Sequence, residues 1–439
     1  VRLLLRAIAW FGAYVALVLL PLATALWTLG PSERPFGFRL GVACGYIALA
    51  MLVLEFALVT RSRTVVQPFG IDALQGFHRR LGLAGVGFAL AHPVLLLAGG
   101  MPAAWLDPVG GPPAMRAGSI ALLLLAVLLL TTFARRRLRL SYEAWLRIHR
   151  WTALGLLAGA LAHAFALGGG AGTALRALWT AYALLVLGLL LRHRLLAPWR
   201  AARRPWRVVA LRSERADTRT VVVEPVGHDG IEFEPGQFAW LLTGGSPFAA
   251  LQHPITISSS AELDASRRLE FTIKALGDWS RERVPRLAPG TRLWIDGPHG
   301  SFTPEREPAL GLVLVAGGVG ITPMRSILLT MSDRGDRRPV LLIHAASTFD
   351  RLTFREEIEA LRAVLALTVV PVLEQPPPDW TGERGYIDAG LLHRHLPPGV
   401  AYWQCFVCGP PAMLDAMERL LPACGVPAER VHTERFAVV

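Results

Sequence analysis

Six apolar stretches, at approximately 6–29, 40–59, 77–98, 117–133, 147–167 and 174–192, occupy the first half of the sequence. A helix needs about 20 mostly apolar residues to cross a bilayer core. Most of the stretches reach that length, with the fourth and sixth at the margin, so the expected element is a six-helix transmembrane bundle. Composition agrees: 53% of the 439 residues are hydrophobic and mean hydropathy is +0.41. The excess lies in the first ~200 residues, so a membrane half precedes a soluble half. The segment from Arg2 to Trp27 is longer than the apolar core of a secretion signal and reads as a first membrane helix.

The formal net charge is +12, and its distribution follows the apolar stretches. Arg61, Arg63, Arg79 and Arg80 lie between the second and third, Arg135, Arg136, Arg137 and Arg139 between the fourth and fifth, and Arg192, Arg194, Arg200, Arg203 and Arg204 after the sixth. The alternate loops carry only scattered charge, such as Glu33, Arg34, Asp107, Arg116 and Arg176. Cytoplasmic loops are enriched in arginine and lysine, so both termini and the C-terminal half are expected on the cytoplasmic side of a bacterial inner or plasma membrane. The charge is thereby assigned to topology, and no nucleic-acid partner is expected. Cys44, Cys405, Cys408 and Cys424 are too few for a disulfide framework, and the C-x-x-C at 405–408 has no second pair to complete a zinc site.

From about residue 205 the pattern turns to short β-rich runs, such as Thr220–Val223 and Phe271–Ile273, separated by Pro/Gly turns. That suits a small antiparallel barrel. After about residue 307, strands alternate with helices: Leu312 to Ala316, Pro323 to Met331, Val340 to Ala345, Phe354 to Val364. This is the signature of a parallel α/β sheet. The expected domains are therefore 1–200, 205–306 and 307–439. No internal repeat or low-complexity tract is read from the chain.

The membrane half carries four histidines at or within two apolar stretches: His78 and His92 on the third, His149 and His163 on the fifth. Each pair is fourteen residues apart. At about 100° per residue, fourteen steps return to within roughly 40° of the start, ~21 Å further along the axis. Helices three and five run the same way across the membrane, so His78 faces His149 at the inner level and His92 faces His163 at the outer one. Two facing histidines at each level supply both axial ligands of a haem iron, and the expectation is two stacked haems. A single intramembrane histidine would more simply bond to a neighbouring helix; four with matched spacing argue for ligation. Without a C-x-x-C-H the haems are b-type. Arg79, Arg80 and Arg150 flank the inner pair, either facing haem propionates or anchoring the interface, and His193 reads as interfacial.

The soluble half holds further motifs. Phe233 to Phe238 leads into a strand, followed by His253-Pro254-Ile255-Thr256 and then by Lys274-Ala275-Leu276-Gly277-Asp278-Trp279-Ser280. A β-edge, a lysine point charge and a small-residue turn together offer what a flavin dinucleotide needs. Ala316-Gly317-Gly318-Val319-Gly320-Ile321-Thr322-Pro323 joins an apolar strand to a helix. Glycines there admit a pyrophosphate to the backbone, and the helix N-terminus favours its charge. Cys408-Gly409-Pro410-Pro411 is another strand-to-helix turn, after the strand Tyr402 to Val407.

In this order the soluble motifs resemble the ferredoxin–NADP reductase superfamily. With the histidine helices, the whole chain resembles the NADPH oxidase and ferric reductase family. The resemblance implies that His253, Pro254, Ile255 (where the family usually has Phe) and Thr256 hold the flavin. It implies that Lys274, Gly277, Asp278, Trp279 and Ser280 hold FAD phosphates, and that Gly317, Gly318, Gly320, Thr322 and Pro323 hold the nicotinamide dinucleotide. Cys408, Gly409 and Pro410 would place the nicotinamide against the flavin, and Phe436 matches the C-terminal aromatic that covers it. The expected activity is a transmembrane NAD(P)H oxidase that moves electrons through FAD and two b-type haems to external oxygen, giving superoxide. A ferric-chelate reductase, or a relay to a quinone or periplasmic partner, are the alternatives. Arg39, at the outer start of the second helix, is the candidate donor to the developing superoxide anion, or else an interfacial anchor. Ser347 and Arg351 follow a strand that ends without a carboxylate, which favours NADPH over NADH. No obligatory protein partner is expected.

Overall fold

The computed structural model describes residues 2–28, 33–59, 71–167, 172–248, 252–262 and 267–435. They belong to two compact units, Val1–Ala197 and Pro198–Val439. Among the described residues of the first unit, six helices have the length and composition to cross a membrane: α1 (Arg2–Thr28), α2 (Phe36–Leu58), α3 (Ile71–Ala98), α4 (Pro113–Phe133), α5 (Tyr142–Leu167) and α6 (Gly172–Leu190). The later five begin two to six residues before the apolar stretches do. On α4 and α5, hydropathy misses the first turns because Arg116 and Glu143 interrupt the apolar run, while backbone hydrogen bonding continues through them. α6 continues through a π-helical turn, Leu191–Leu196, and a last helical turn, Ala197–Ala202.

Small residues set the helix packing. A Cβ added at Gly41 of α2 would lie 3.1 Å from Leu95 Cβ of α3, and one at Gly159 of α5 would lie 3.1 Å from the Ala117 carbonyl of α4. Two antiparallel pairs result, α2 with α3 and α4 with α5, their backbones brought close where glycine has no side chain. Trp179 and Tyr182 of α6 are buried with Leu49, Val53 and Leu157, and the Tyr182 hydroxyl donates to the Leu17 carbonyl of α1 at 2.6 Å.

The two pairs repeat one another, which corrects the sequence reading. His78-Arg79 and Ala89-Leu90-Ala91-His92 on α3 stand in the same register as His149-Arg150 and Ala160-Leu161-Ala162-His163 on α5. The likeness is short and set in a background of Leu, Ala and Gly. It becomes legible only when the helices facing each histidine are known.

The second unit begins with a six-stranded antiparallel sheet of order β4-β3-β6-β1-β2-β5. Its strands are β1 (Trp206–Ser213), β2 (Thr218–Pro225), β3 (Phe238–Leu242), β4 (His253–Thr256), β5 (Leu269–Lys274) and β6 (Arg292–His299). An antiparallel bridge between Ile257 and Phe271 joins the β4 end to β5, closing the sheet around Trp206, Val208, Val221, Val223, Phe271 and Leu293. The parallel sheet follows, in order β10-β9-β8-β7-β11-β12. β7 (Leu312–Gly317), β8 (Val340–Ala346) and β11 (Gln404–Cys408) lie inside it, with β9 (Leu367–Leu373), β10 (Glu383–Arg384) and β12 (Val431–Glu434) outward. Both faces of β7 are covered, which is why it reads as an unbroken apolar run. The helices are α7 (Ile321–Asp333), α8 (Arg355–Leu361), α9 (Ala389–His395) and α10 (Pro411–Ala423). α8 is shorter than the sequence suggests: Phe354, with a left-handed φ of 61°, stands ahead of it, and the chain leaves the helix after Leu361 into a turn at 362–364.

Candidate redox sites

In the first unit the four histidines form two pairs. His78 faces His149 and His92 faces His163, each with ring centroids 6.2 Å apart. The lower-numbered residues pair together, so α3 and α5 are parallel. Two imidazoles bound to one metal need about 2 Å per metal–nitrogen bond and about 1.1 Å from each nitrogen to its ring centroid, or about 6 Å in all. The spacing fits. Among the described residues there is no cluster of three or more His, Cys, Asp or Glu side chains able to hold a metal; the histidines stand as two facing pairs.

The neighbouring helices fix which nitrogen points inward. His92 Nδ1 donates to the Gly41 carbonyl and His163 Nδ1 to the Ala114 carbonyl, both at 2.8 Å. Nε2 is then the nitrogen left to bind a metal. One helical turn beyond each carbonyl stands a glycine. A Cβ at Gly45 would lie 2.7 Å from His92 Nδ1, and one at Gly118 would lie 2.9 Å from His163 Nδ1. At the other level His78 Nδ1 bonds the Glu55 carboxylate, whereas the buried His149 Nδ1 has no hydrogen-bond partner; Trp145 packs on the His149 ring at 5.2 Å. Gly45, Gly118 and Glu55 are missed by sequence reasoning. Glu55 carries a usable signal: it is the sole acidic residue within the six apolar stretches. Arg39 is exposed on α2, roughly 200° around the helix from Gly41, so it lies on the face turned away from His92.

In the second unit, β4 lies at the edge of its sheet, where Pro254 costs no ladder hydrogen bond. Ile255 packs against the barrel core. The ring of His253 stacks on Trp279 with centroids 3.8 Å apart and 15° between planes, and the Trp279 indole donates to Thr243 Oγ1 at 2.9 Å. Trp279 is thus a buried support for β4 and not an exposed phosphate contact. Burial pushes the His253 pKa down to about 4. His253 Nε2 and Thr256 Oγ1 are buried without hydrogen-bond partners, which fits a segment that meets a polar ligand. The Ser280 hydroxyl receives the amides of Leu276 and Gly277 at 2.9 Å, so it shapes the turn after β5 and is not held free for a phosphate.

The two glycine loops pack on each other. β7 and β11 are neighbours, with Ala316 beside Cys408. A Cβ at Gly320 would lie 2.1 Å from the Cys408 carbonyl, one at Gly317 would lie 2.8 Å from Met413 Sδ and Pro410 Cδ, and one at Gly409 would lie 3.1 Å from Gly317 Cα. These glycines are demanded by loop-on-loop packing before any ligand is considered. Gly318 has a φ of +56°, and a Cβ there would meet Lys274 Nζ at 3.8 Å. Burial and the neighbouring Arg351 lower the Lys274 pKa; the cationic pair suits phosphate at the mouth of this loop. Thr322 donates to the Val319 carbonyl at 3.0 Å, closing the turn, and Pro323 falls in the first turn of α7, where it is tolerated. Cys408 is fully buried, and Cys405 faces the opposite side of the sheet, so the C-x-x-C is not a pair. Phe436 lies outside the described residues.

Sequence reasoning also misses Arg325. It is buried on α7 and donates to Glu357 at 2.6 and 2.8 Å, and to Glu270 and the Ser258 carbonyl at 2.8 Å each. It ties the barrel to the parallel sheet, and no local sequence pattern marks it.

The membrane helices, the closed barrel and the twin loops of the parallel sheet define a pyridine-nucleotide oxidoreductase attached to a membrane bundle. Comparison with known proteins agrees. Residues 44–160 match the family described as ferric reductase like transmembrane component, and residues 314–419 match the oxidoreductase NAD-binding domain. Ferredoxin–NADP reductase B of Sorangium cellulosum is 30% identical over 237 residues, 52% of this chain and 96% of that protein. The reductase component of propane 2-monooxygenase from Rhodococcus jostii is 29% identical over 238 residues, and this chain spans only 62% of its length. The flavohemoglobin of Malassezia yamatoensis has a similar fold, with a TM-score of 0.50 at 19% identity over 92% of this chain and 100% of that one. The chain belongs to the ferredoxin–NADP reductase family, joined to a ferric reductase-like transmembrane component, which is the architecture of NADPH oxidases and ferric reductases.

Proposed function

We propose that the protein is a transmembrane NAD(P)H oxidase, passing electrons from cytosolic NAD(P)H through FAD and two b-type haems to oxygen on the far side, where superoxide forms. The observation that carries this reading is the pair of histidine sets at two levels, each 6.2 Å between ring centroids. Bound FAD would divide a two-electron hydride into single electrons, and bound haem would carry one at a time. The chain's own part is to bind and orient. His253 to Thr256 and Lys274 would hold the flavin. Gly317 to Gly320, with Cys408 to Pro410, would admit the nucleotide. Ser347 and Arg351 would favour a 2′-phosphate, and hence NADPH. His92 and His163 would hold the outer haem, the group that would supply the electron to oxygen. The arginine-rich loops support a cytoplasmic dehydrogenase half.

The test is the purified protein with NADPH, FAD and haem. Reduction of cytochrome c should be sensitive to superoxide dismutase. The match to a ferric reductase-like membrane component favours one rival, a ferric-chelate reductase. Brisk anaerobic reduction of a ferric chelate, with no effect of dismutase in air, would put that reading in place of the oxidase.

A further inference from the structure

We propose that Glu55 tunes the metal site of His78 and His149, holding the iron bound there at a lower reduction potential than the iron bound by His92 and His163. The proposal rests on the haem reading above.

The two levels of the bundle hold their histidines differently. At one level both Nδ1 groups donate to backbone carbonyls, of Gly41 and Ala114, at the same 2.8 Å. At the other, His78 Nδ1 is bonded to a carboxylate and His149 Nδ1 has no acceptor. The repeat explains the difference. Glu55 stands fourteen residues after Gly41 on α2; the position fourteen residues after Ala114 on α4 is Leu128. One half of the bundle therefore carries a carboxylate where the other carries a hydrocarbon. Glu55 is 8% exposed, and its Oε1 is buried without a partner, so the carboxylate is committed to His78 through its other oxygen.

A carboxylate sharing the Nδ1 proton makes an imidazole a stronger electron donor, which favours ferric over ferrous iron. An ionised Glu55 would add a negative charge in a low-dielectric setting, which also disfavours the arrival of an electron. Both effects act in one direction. An electron at the Glu55 level is thereby driven toward the Gly41 level, so the asymmetry gives the bundle a direction of transfer.

The experiment uses the full chain, purified with haem and titrated spectroelectrochemically, alongside Glu55→Gln and Glu55→Leu. The glutamine keeps an acceptor and removes the charge; the leucine copies the other half of the repeat. One of two midpoints should rise by about tenfold in the reduction equilibrium constant, about 59 mV for one electron, and by more in the leucine variant. The second midpoint should stay in place. In a His163→Leu background, where only the Glu55-level haem remains, the shift should persist. The low-spin ferric EPR signal of that same haem should move. Two haems per chain with both midpoints and both EPR signals unchanged would overturn the proposal and leave the haem reading standing. So would a fully loaded, unshifted Glu55→Gln beside a Glu55→Leu that loses haem, since Glu55 would then serve packing alone. A chain that takes up no haem would overturn both.

Discussion

If the proposed haem sites hold, replacing Gly45 with alanine should cost the protein the metal site of His92 and His163 while leaving the helix intact. In a helix interior alanine is favoured over glycine by about 1 kcal/mol, so propensity alone predicts a gain. The structure reverses the sign. The new Cβ would lie 2.7 Å from His92 Nδ1 and 2.8 Å from Cε1, where ordinary contact begins at 3.4 Å. The ring would have to retreat by about 0.7 Å, more than a rigid ligand site absorbs. That movement spoils the 2.8 Å bond to the Gly41 carbonyl and the spacing to His163. Disturbing the outer partner of a metal-ligating histidine typically lowers affinity ~10–100-fold, roughly 1.4–2.7 kcal/mol. Gly85→Ala is the matched control: its Cβ would meet Met51 Cβ at 3.5 Å, an ordinary contact. Haem per chain, measured by absorbance after purification under limiting haem, should fall toward one in Gly45→Ala and stay at two in Gly85→Ala. Wild-type haem content and spectrum in Gly45→Ala would refute the steric argument.

Three further outcomes are expected of the second unit. Gly320→Ala drives a Cβ to 2.1 Å from the Cys408 carbonyl, so NADPH-dependent flavin reduction should collapse while FAD, held by the barrel, is retained; stopped-flow absorbance separates the two. Arg325→Met leaves Glu270 and Glu357 without their shared cation and should destabilise the unit by about 3 kcal/mol, the low end for a broken buried pair because Glu357 keeps partial access to water and Glu270 keeps Arg212; an unchanged urea midpoint would count against the tie. Burial pushes the pKa of His344 down to about 4, below its unfolded value near 6.5. The unfolded chain then binds a proton that the folded one refuses, so stability is fully present above about pH 6.5 and is lost as pH falls toward 4, by up to roughly 3 kcal/mol. His344→Leu should shrink that acid-side loss in a series of urea melts at stepped pH, and a slope equal to that of the wild type would refute it.

The sequence by itself determined the six crossings, the four histidines and the order of barrel and parallel sheet. Each rests on a periodicity or a composition that a local stretch carries in full: apolar length, a fourteen-residue spacing, a strand running into glycines. The boundaries were less legible. Arg116 and Glu143 break a hydropathy window but not a helix, and Phe354 alone, in a left-handed turn, sets where α8 starts. What the tertiary structure decided lies wherever a residue's meaning depends on a partner distant in sequence. Gly317 and Gly320 read as room for a phosphate, yet they first make room for Pro410, Met413 and the Cys408 carbonyl. Trp279 sits in a phosphate motif and packs on His253. Arg325, Gly45 and Gly118 carry no local pattern at all. The internal repeat stayed hidden for the same reason: helices of Leu, Ala and Gly resemble one another everywhere, and the equivalence of Gly41 with Ala114 exists only in the histidine each one holds. Helix and strand periodicity is written along the chain, whereas close packing and hydrogen-bond pairing are properties of surfaces that only the folded chain brings together.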